Sequence, residues 1–297
     1  MATKTNILKS KRSVKRLTGF DYVNYFFMLL ALLAWLLPFI YLIAVSFSSP
    51  RAILNKEVIL FPVEFNLSAY ETIFTYPSFF NNYMNTIVYT LLGTAIAMAM
   101  TALFAYPLSK SHLIGHSLVM KFVIFSMVFT GGLIPTYLLI SNLKMTGTIW
   151  AMVIPHAVNQ FNLIILINFF RSLPEELEDA AKIDGLGYFG IFTKIAIPLA
   201  KPALATITLY YAVFFWNDWF NGLIYLNTDQ YPVMLLLRNI VNGTAVMDAG
   251  AGGAEKMTIG ISIKAAVIIT TTLPIIILYP FLQKYFVQGI MVGAVKG

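Results

Sequence analysis

The chain has 297 residues, 59% of them hydrophobic and 11% charged, with a formal net charge of +7 at pH 7 and a mean hydropathy of +0.77. No soluble domain of this length needs so much apolar side chain, so composition indicates an all-α polytopic membrane protein. The absence of cysteine excludes disulfides, thiol catalysis and cysteine metal sites. The basic excess is first a topology signal rather than a nucleic-acid patch, because the basic residues sit at the ends of apolar runs.

Residues 1–19 carry Lys4, Lys9, Lys11, Arg12, Lys15 and Arg16 and predict a basic tail ahead of one membrane domain over 20–297. A signal peptide is the competing reading. The run Phe20–Phe47 is too long for a signal core and lacks a small-x-small cleavage site, so it predicts a first span, with a kink at Pro38. Residues 48–81 hold Pro50, Pro62 and Pro77 and no span-length apolar run. They predict an outside loop with a short helix near Leu67–Phe74. A second span covers Tyr83–Tyr106, where Gly93, Thr94, Ala95, Ala97 and Ala99 allow close helix approach. The turn after it holds Lys110, His112 and His116; two histidines with no third ligand predict a solvated loop and no metal site.

A third span covers Lys121–Ile140. Gly131-Gly132 and Pro135 interrupt it, which predicts a bend or break tolerated only against protein or a cavity. A fourth covers Ile149–Phe170 and contains His156, Asn159, Gln160 and Asn162. Polar side chains at membrane depth avoid lipid, so these either bond neighbouring helices or line a polar path.

Residues Ser172–Pro202, SLPEELEDAAKIDGLGYFGIFTKIAIPLAKP, form the most polar interior stretch. Ser172 and Glu175 have capping-box spacing, and Pro174 suits a first turn. Glu175, Glu176, Glu178 and Asp179 complement a helix N-terminus. Gly185 and Gly187 bracket a turn. A second short helix follows, with Phe189, Phe192 and Ile195 at helical spacing, ended by Pro198; Pro202 opens the next apolar run. A simple connector and a docking surface both fit this pattern.

The fifth span, Ala203–Ile224, ends in Trp216-Asn217-Asp218-Trp219-Phe220-Asn221. That cluster suits an interfacial aromatic belt and also sugar recognition by stacking and hydrogen bonding. Residues 225–260 predict an outside loop whose Gly243–Gly253 stretch is flexible. The sixth span is Ile261–Leu282, with Pro274 and Pro280. With this topology 14 of the 20 Lys and Arg residues fall inside and 5 outside, with Lys264 at the border. Both termini and the 172–202 loop are therefore expected in the cytoplasm.

The chain has no Gly-x-x-x-x-Gly-Lys-Ser/Thr, His-Glu-x-x-His or Gly-x-Ser-x-Gly. It therefore carries no recognisable motor or hydrolase site. Acidic residues avoid the apolar interiors, which argues against an ion-coupled relay. A stand-alone secondary carrier or channel for a small polar solute is the alternative to a pump that borrows its motor.

Asp179-Ala180-Ala181-Lys182-Ile183-Asp184-Gly185 followed in register by Ile195-Ala196-Ile197-Pro198 resembles the cytoplasmic loop of permease subunits of bacterial ABC importers. Asp179 stands for the usual Glu and Ile197 for the usual Leu. Asn85-Thr86, Gly131-Gly132-Leu133-Ile134-Pro135, Trp216-Asn217-Asp218-Trp219 and Gly293-Ala294-Val295-Lys296-Gly297 are similar to the carbohydrate branch of that maltose-permease-like family, nearest its oligosaccharide and aldouronate type. The likeness runs from about Phe20 to the end.

It implies a six-helix permease core in the bacterial cell membrane, without enzymatic activity or a cofactor of its own. ATP and magnesium would belong to two ATP-binding partner subunits. A second permease, an extracytoplasmic solute-binding protein and an oligosaccharide, neutral or uronate-containing, complete the expected set; nucleic acid is not among them. The coupling candidates are Glu178, Asp179, Ala180, Ala181, Asp184, Gly185, Phe189, Ile195 and Pro198. The substrate-path candidates are Asn159, Asn162, Trp216, Asn217 and Asp218. Gly243, Gly250, Gly252 and Gly253 are candidates for contact with the binding protein.

Overall fold

The computed structural model describes residues 18–76, 78–250, 260–278 and 280. Among them every regular element is helical. Helix α1 (Gly19–Ser46) runs unbroken through Pro38, and only Ala44, Val45 and Ser46 at its end are buried. That end packs with Ala52, Val58 and Ala265. The 48–81 segment holds two short helices, α2 (Pro50–Leu54) and α3 (Ser68–Phe74). Ser49 caps α2 by accepting from the Ala52 amide. Phe47 stacks on Phe65 and Tyr70.

Helix α4 (Phe79–Leu108, 30 residues) is the central post. Gly93 faces Phe215, and a Cβ there would lie 2.8 Å from three atoms of that ring. The small-residue stretch read from the sequence thus lets α4 approach a later helix closely. The third predicted span is two helices, α5 (His116–Val128) and α6 (Leu133–Asn142), with a bend of 116° between them. The corner is at Gly131-Gly132, where Gly132 has φ +87°, a conformation open to glycine.

The fourth is also bent, by 47°, between α7 (Trp150–Val153, extended by a 3-10 turn to His156) and α8 (Gln160–Arg171). The chain then forms α9 (Glu175–Ile183), α10 (Tyr188–Ile191), a π turn over Phe192–Ala196, α11 (Ile197–Leu199) and α12 (Lys201–Asn217). Next come α13 (Phe220–Tyr225), α14 (Val233–Gly250) and α15 (Gly260–Leu278). Helices α1, α4 and α15 are each long and apolar enough to cross a membrane, and the three bent pairs bring the number to as many as six.

The main core lies where α4, α8 and α12 meet, with Ala97, Tyr106, Leu166, Phe170, Ile207, Tyr211 and Phe215 buried together. Several local expectations are corrected. Ser172 still has helical backbone at the end of α8, and its hydroxyl donates to the Phe169 carbonyl, so it cannot cap α9; Pro174 takes that place. Gly187 has φ −74°, so Gly185 alone at this turn needs the left-handed region. Pro198 does not stop the helix: it sits in the first turn of α11, where no N–H is required, and the break falls at Ala200.

The fifth span does not continue to Ile224. It ends at Asn217, because Asp218 accepts from the Asn221 amide and starts α13 instead. The 225–260 loop contains α14, whose Val233 and Leu236 are buried against Phe79 and Trp216. That burial stabilises the first turns of α14, as tertiary packing rather than propensity does for most helices.

Candidate functional site

Two features concentrate the polar groups. The first is the element from α9 to α11. Its anchor is Glu178, which accepts from Lys110 Nζ at 2.5 Å and from the Tyr106 hydroxyl at 3.4 Å. The Tyr106 ring lies against Phe170 and Phe192, so the carboxylate ties α9 to the end of α4 through packed aromatics. Ala181 is buried, while Asp179, Ala180, Asp184 and Gly185 are exposed. Lys182 donates to Asp179 at 2.9 Å, and that bond pushes its ammonium above the ordinary lysine range. Both partners are exposed, so the pair adds little stability. Around the Gly185 turn, Ile183, Tyr188 and Phe189 are 87%, 72% and 71% exposed. Ile195 is half-buried and Pro198 exposed. The result is an acidic helix with an apolar patch beside it.

The pairing of Lys110 with Glu178 is checkable. Both side chains are largely buried. Lys110→Met and Glu178→Leu should each lower the melting temperature in detergent. Combined, they should do so by less than the sum, with a coupling energy of about 1 kcal/mol.

The second feature is a cavity of about 460 Å³ at the bend between α7 and α8, lined by His156, Asn159, Gln160, Asn162 and the aromatic wall Tyr210, Tyr211 and Phe214 of α12. Pro155 removes a backbone donor at the bend. Asn159 restarts the helix: its Oδ1 accepts from the Asn162 amide at 3.1 Å, and its own amide donates to the Tyr211 hydroxyl at 2.9 Å. Tyr211 in turn bonds Thr101 of α4 at 2.7 Å. Amides beside aromatic faces suit a polyhydroxylated ligand, whose hydroxyls bond and whose C–H faces stack. Among the described residues no group of His, Asp and Glu side chains converges as metal ligands.

Asn159 and Asn162 are brought together at this cavity; the three other path candidates are not on its wall. Trp216 is buried and donates to the Thr271 carbonyl of α15 at 3.0 Å. Asn217 is exposed and donates to Val213. Asp218 is buried, 8% exposed, and accepts from Asn221 at its backbone (3.1 Å) and its side chain (2.8 Å). The same Asn221 amide nitrogen lies 2.9 Å from His156 Nε2. Of the glycine candidates, Gly243 lies on α14 with open space around it. Gly250 is the last described residue of that helix, and Gly252 and Gly253 lie outside the described residues.

A scan against protein-family models finds none that matches this chain. Two curated relatives from Bacillus subtilis (strain 168) match nearly end to end. Protein LplC is 44% identical over 88% of this chain and 90% of its own. YtcP, named as a polygalacturonan/rhamnogalacturonan transport system permease protein, is 42% identical over 94% and 98%. A solved bacterial ABC transporter chain, from a system involved in import of the acidic polysaccharide alginate, superposes with a TM-score of 0.79. It is 32% identical, covering 90% of this chain and 96% of that one. This chain belongs to the permease subunits of bacterial carbohydrate ABC importers.

In this permease the aromatics Tyr210, Tyr211 and Phe214 on the cavity wall were not among the candidates read from the sequence. The spacing of Tyr210 and Phe214, one helical turn apart on α12, was a local signal for a shared face. The pairing of Asn221 with His156 had none, because 65 residues separate them.

Proposed function

We propose that this permease forms half of the translocation path of a heteromeric importer in the bacterial cell membrane, and that its cargo is an acidic, uronate-containing oligosaccharide. The observation that carries the proposal is connectivity. Helices α8 and α12 together wall the polar cavity at one end, and at the other they are joined by the α9–α11 element with its exposed apolar patch. A displacement of that element must move both walls.

Two ATP-binding subunits hold the motor, and one seats the Ile183, Tyr188 and Phe189 patch. A second permease supplies the other half of the path, and an extracytoplasmic binding protein delivers the sugar. The chain crosses six times, with both termini and the α9–α11 element in the cytoplasm, as the lysine and arginine distribution supports. ATP closes the motors and favours one orientation of the path; the loaded binding protein favours the same orientation from outside. Each acts only through its different affinity for the two states. The uronate cargo is supported by the polygalacturonan and alginate systems of the relatives.

The test is uptake of a trigalacturonate into liposomes holding the assembled complex. Uptake should require ATP. Tyr210→Ala with Phe214→Ala should lower it about tenfold through lost stacking and apolar contact. Ile183→Asp with Phe189→Asp should release the ATPase on purification. Uptake driven by an ion gradient in the isolated chain would replace this reading with a secondary carrier.

A further inference from the structure

The cavity wall holds no lysine or arginine, an unexpected feature if its cargo is anionic. Its one side chain able to carry positive charge is His156. The groups behind it decide which proton it holds. A carboxylate only accepts hydrogen bonds, so the Asn221 atom 2.8 Å from Asp218 Oδ2 must be the amide nitrogen. This orientation is imposed by chemistry and does not depend on which way an amide is drawn. The second hydrogen of that NH2 faces His156 Nε2 at 2.9 Å. Nε2 is therefore the acceptor, and the ring proton is on Nδ1. Nδ1 has no partner among the described residues, on a ring that lines the cavity and leans against Phe214 with centroids 4.8 Å apart.

We propose that Asp218 and Asn221 hold His156 as a neutral Nδ1–H donor presented to the acceptor oxygens of the passing oligosaccharide. This rests on the oligosaccharide reading above. A path must bind its cargo firmly enough to admit it and weakly enough to let it go. A fixed cation would grip each uronate carboxylate at low dielectric, whereas a neutral donor bonds a carboxylate or a hydroxyl with modest strength. His156 is then a specificity residue, and Asn221 and Asp218 are positioning residues that act through it.

The experiment uses the complete complex in liposomes, with trigalacturonate as cargo. His156→Asn keeps an N–H near the Nδ1 position and should retain at least half of the uptake; His156→Phe should lose about tenfold, the worth of one hydrogen bond. The second readout is the 15N spectrum of histidine-labelled complex, with His156 assigned by its absence in His156→Asn. This chain has only three histidines. Wild type should show the single Nδ1–H tautomer, and Asn221→Leu should lose it. A proton on Nε2 in the wild type, or full uptake by His156→Phe, overturns the proposal. A wild-type complex that hydrolyses ATP but moves no oligosaccharide sinks the cargo reading and the presented ligand with it, while the nitrogen spectrum still decides the tautomer.

Discussion

Gly185→Val should cut ATP-driven uptake by at least tenfold while the complex still assembles in the membrane. Gly185 has φ +81°, and nothing lies within 4 Å of where a Cβ would stand. The penalty is thus one of backbone conformation, not of space. A β-branched residue in the left-handed region costs about 1–2 kcal/mol or more. The chain avoids that cost by opening the turn that joins α9 to α10, where Gly185 and Leu186 amides donate to Lys182 and Ala181 carbonyls. The exposed trio Ile183, Tyr188 and Phe189 straddles this turn, so its arrangement is what changes. Gly185→Asn should be far milder, because asparagine tolerates the left-handed region. The comparison is made by uptake per copy of assembled complex. Equal losses for Val and Asn would mean that the partner ATPase, rather than the backbone, excludes a side chain there.

Gly93→Leu should prevent stable packing of α4 on α12. Even Gly93→Ala should lower stability by about 1–3 kcal/mol, the usual cost of an overfilled core. The reason is local and steric. The added carbon would sit 2.8 Å from Cε1, Cε2 and Cζ of Phe215, and Phe215 is only 1% exposed, with its ring held edge-on to Phe214. Thermal unfolding in detergent reads the loss. Phe215→Leu in the Gly93→Ala background should recover part of it by removing the ring edge. Additive losses in the double variant would show that the two residues do not meet.

Much of this protein is written locally. Apolar runs of span length, the Gly131-Gly132 corner and the glycine turn at 185 each act through their own backbone or immediate neighbours, so inspection of the chain finds them. The register of Asp179-Ala180-Ala181 with Gly185 and Pro198 is likewise a linear signal. Misreadings arose where a side chain had two available partners. Ser172 could cap α9 or bond back to Phe169, and the end of α8 decided the matter. The 225–260 segment looked like a loop because its glycine-alanine stretch dominates the local pattern, whereas the packing of Val233 and Leu236 on Phe79 and Trp216 joins residues far apart in the chain.

The class of protein, its helical spans and its likeness to sugar permeases therefore follow from composition and linear spacing, since both depend on residues close together in the chain. The roles of the polar side chains do not. Trp216 turned away to α15, Glu178 turned inward to Lys110, and His156 came to face Asn221. Each outcome depends on tertiary packing between separate elements, which joins residues 55 to 68 positions apart. A hydrogen bond has value only at contact distance, and no local pattern encodes which distant partner will be there.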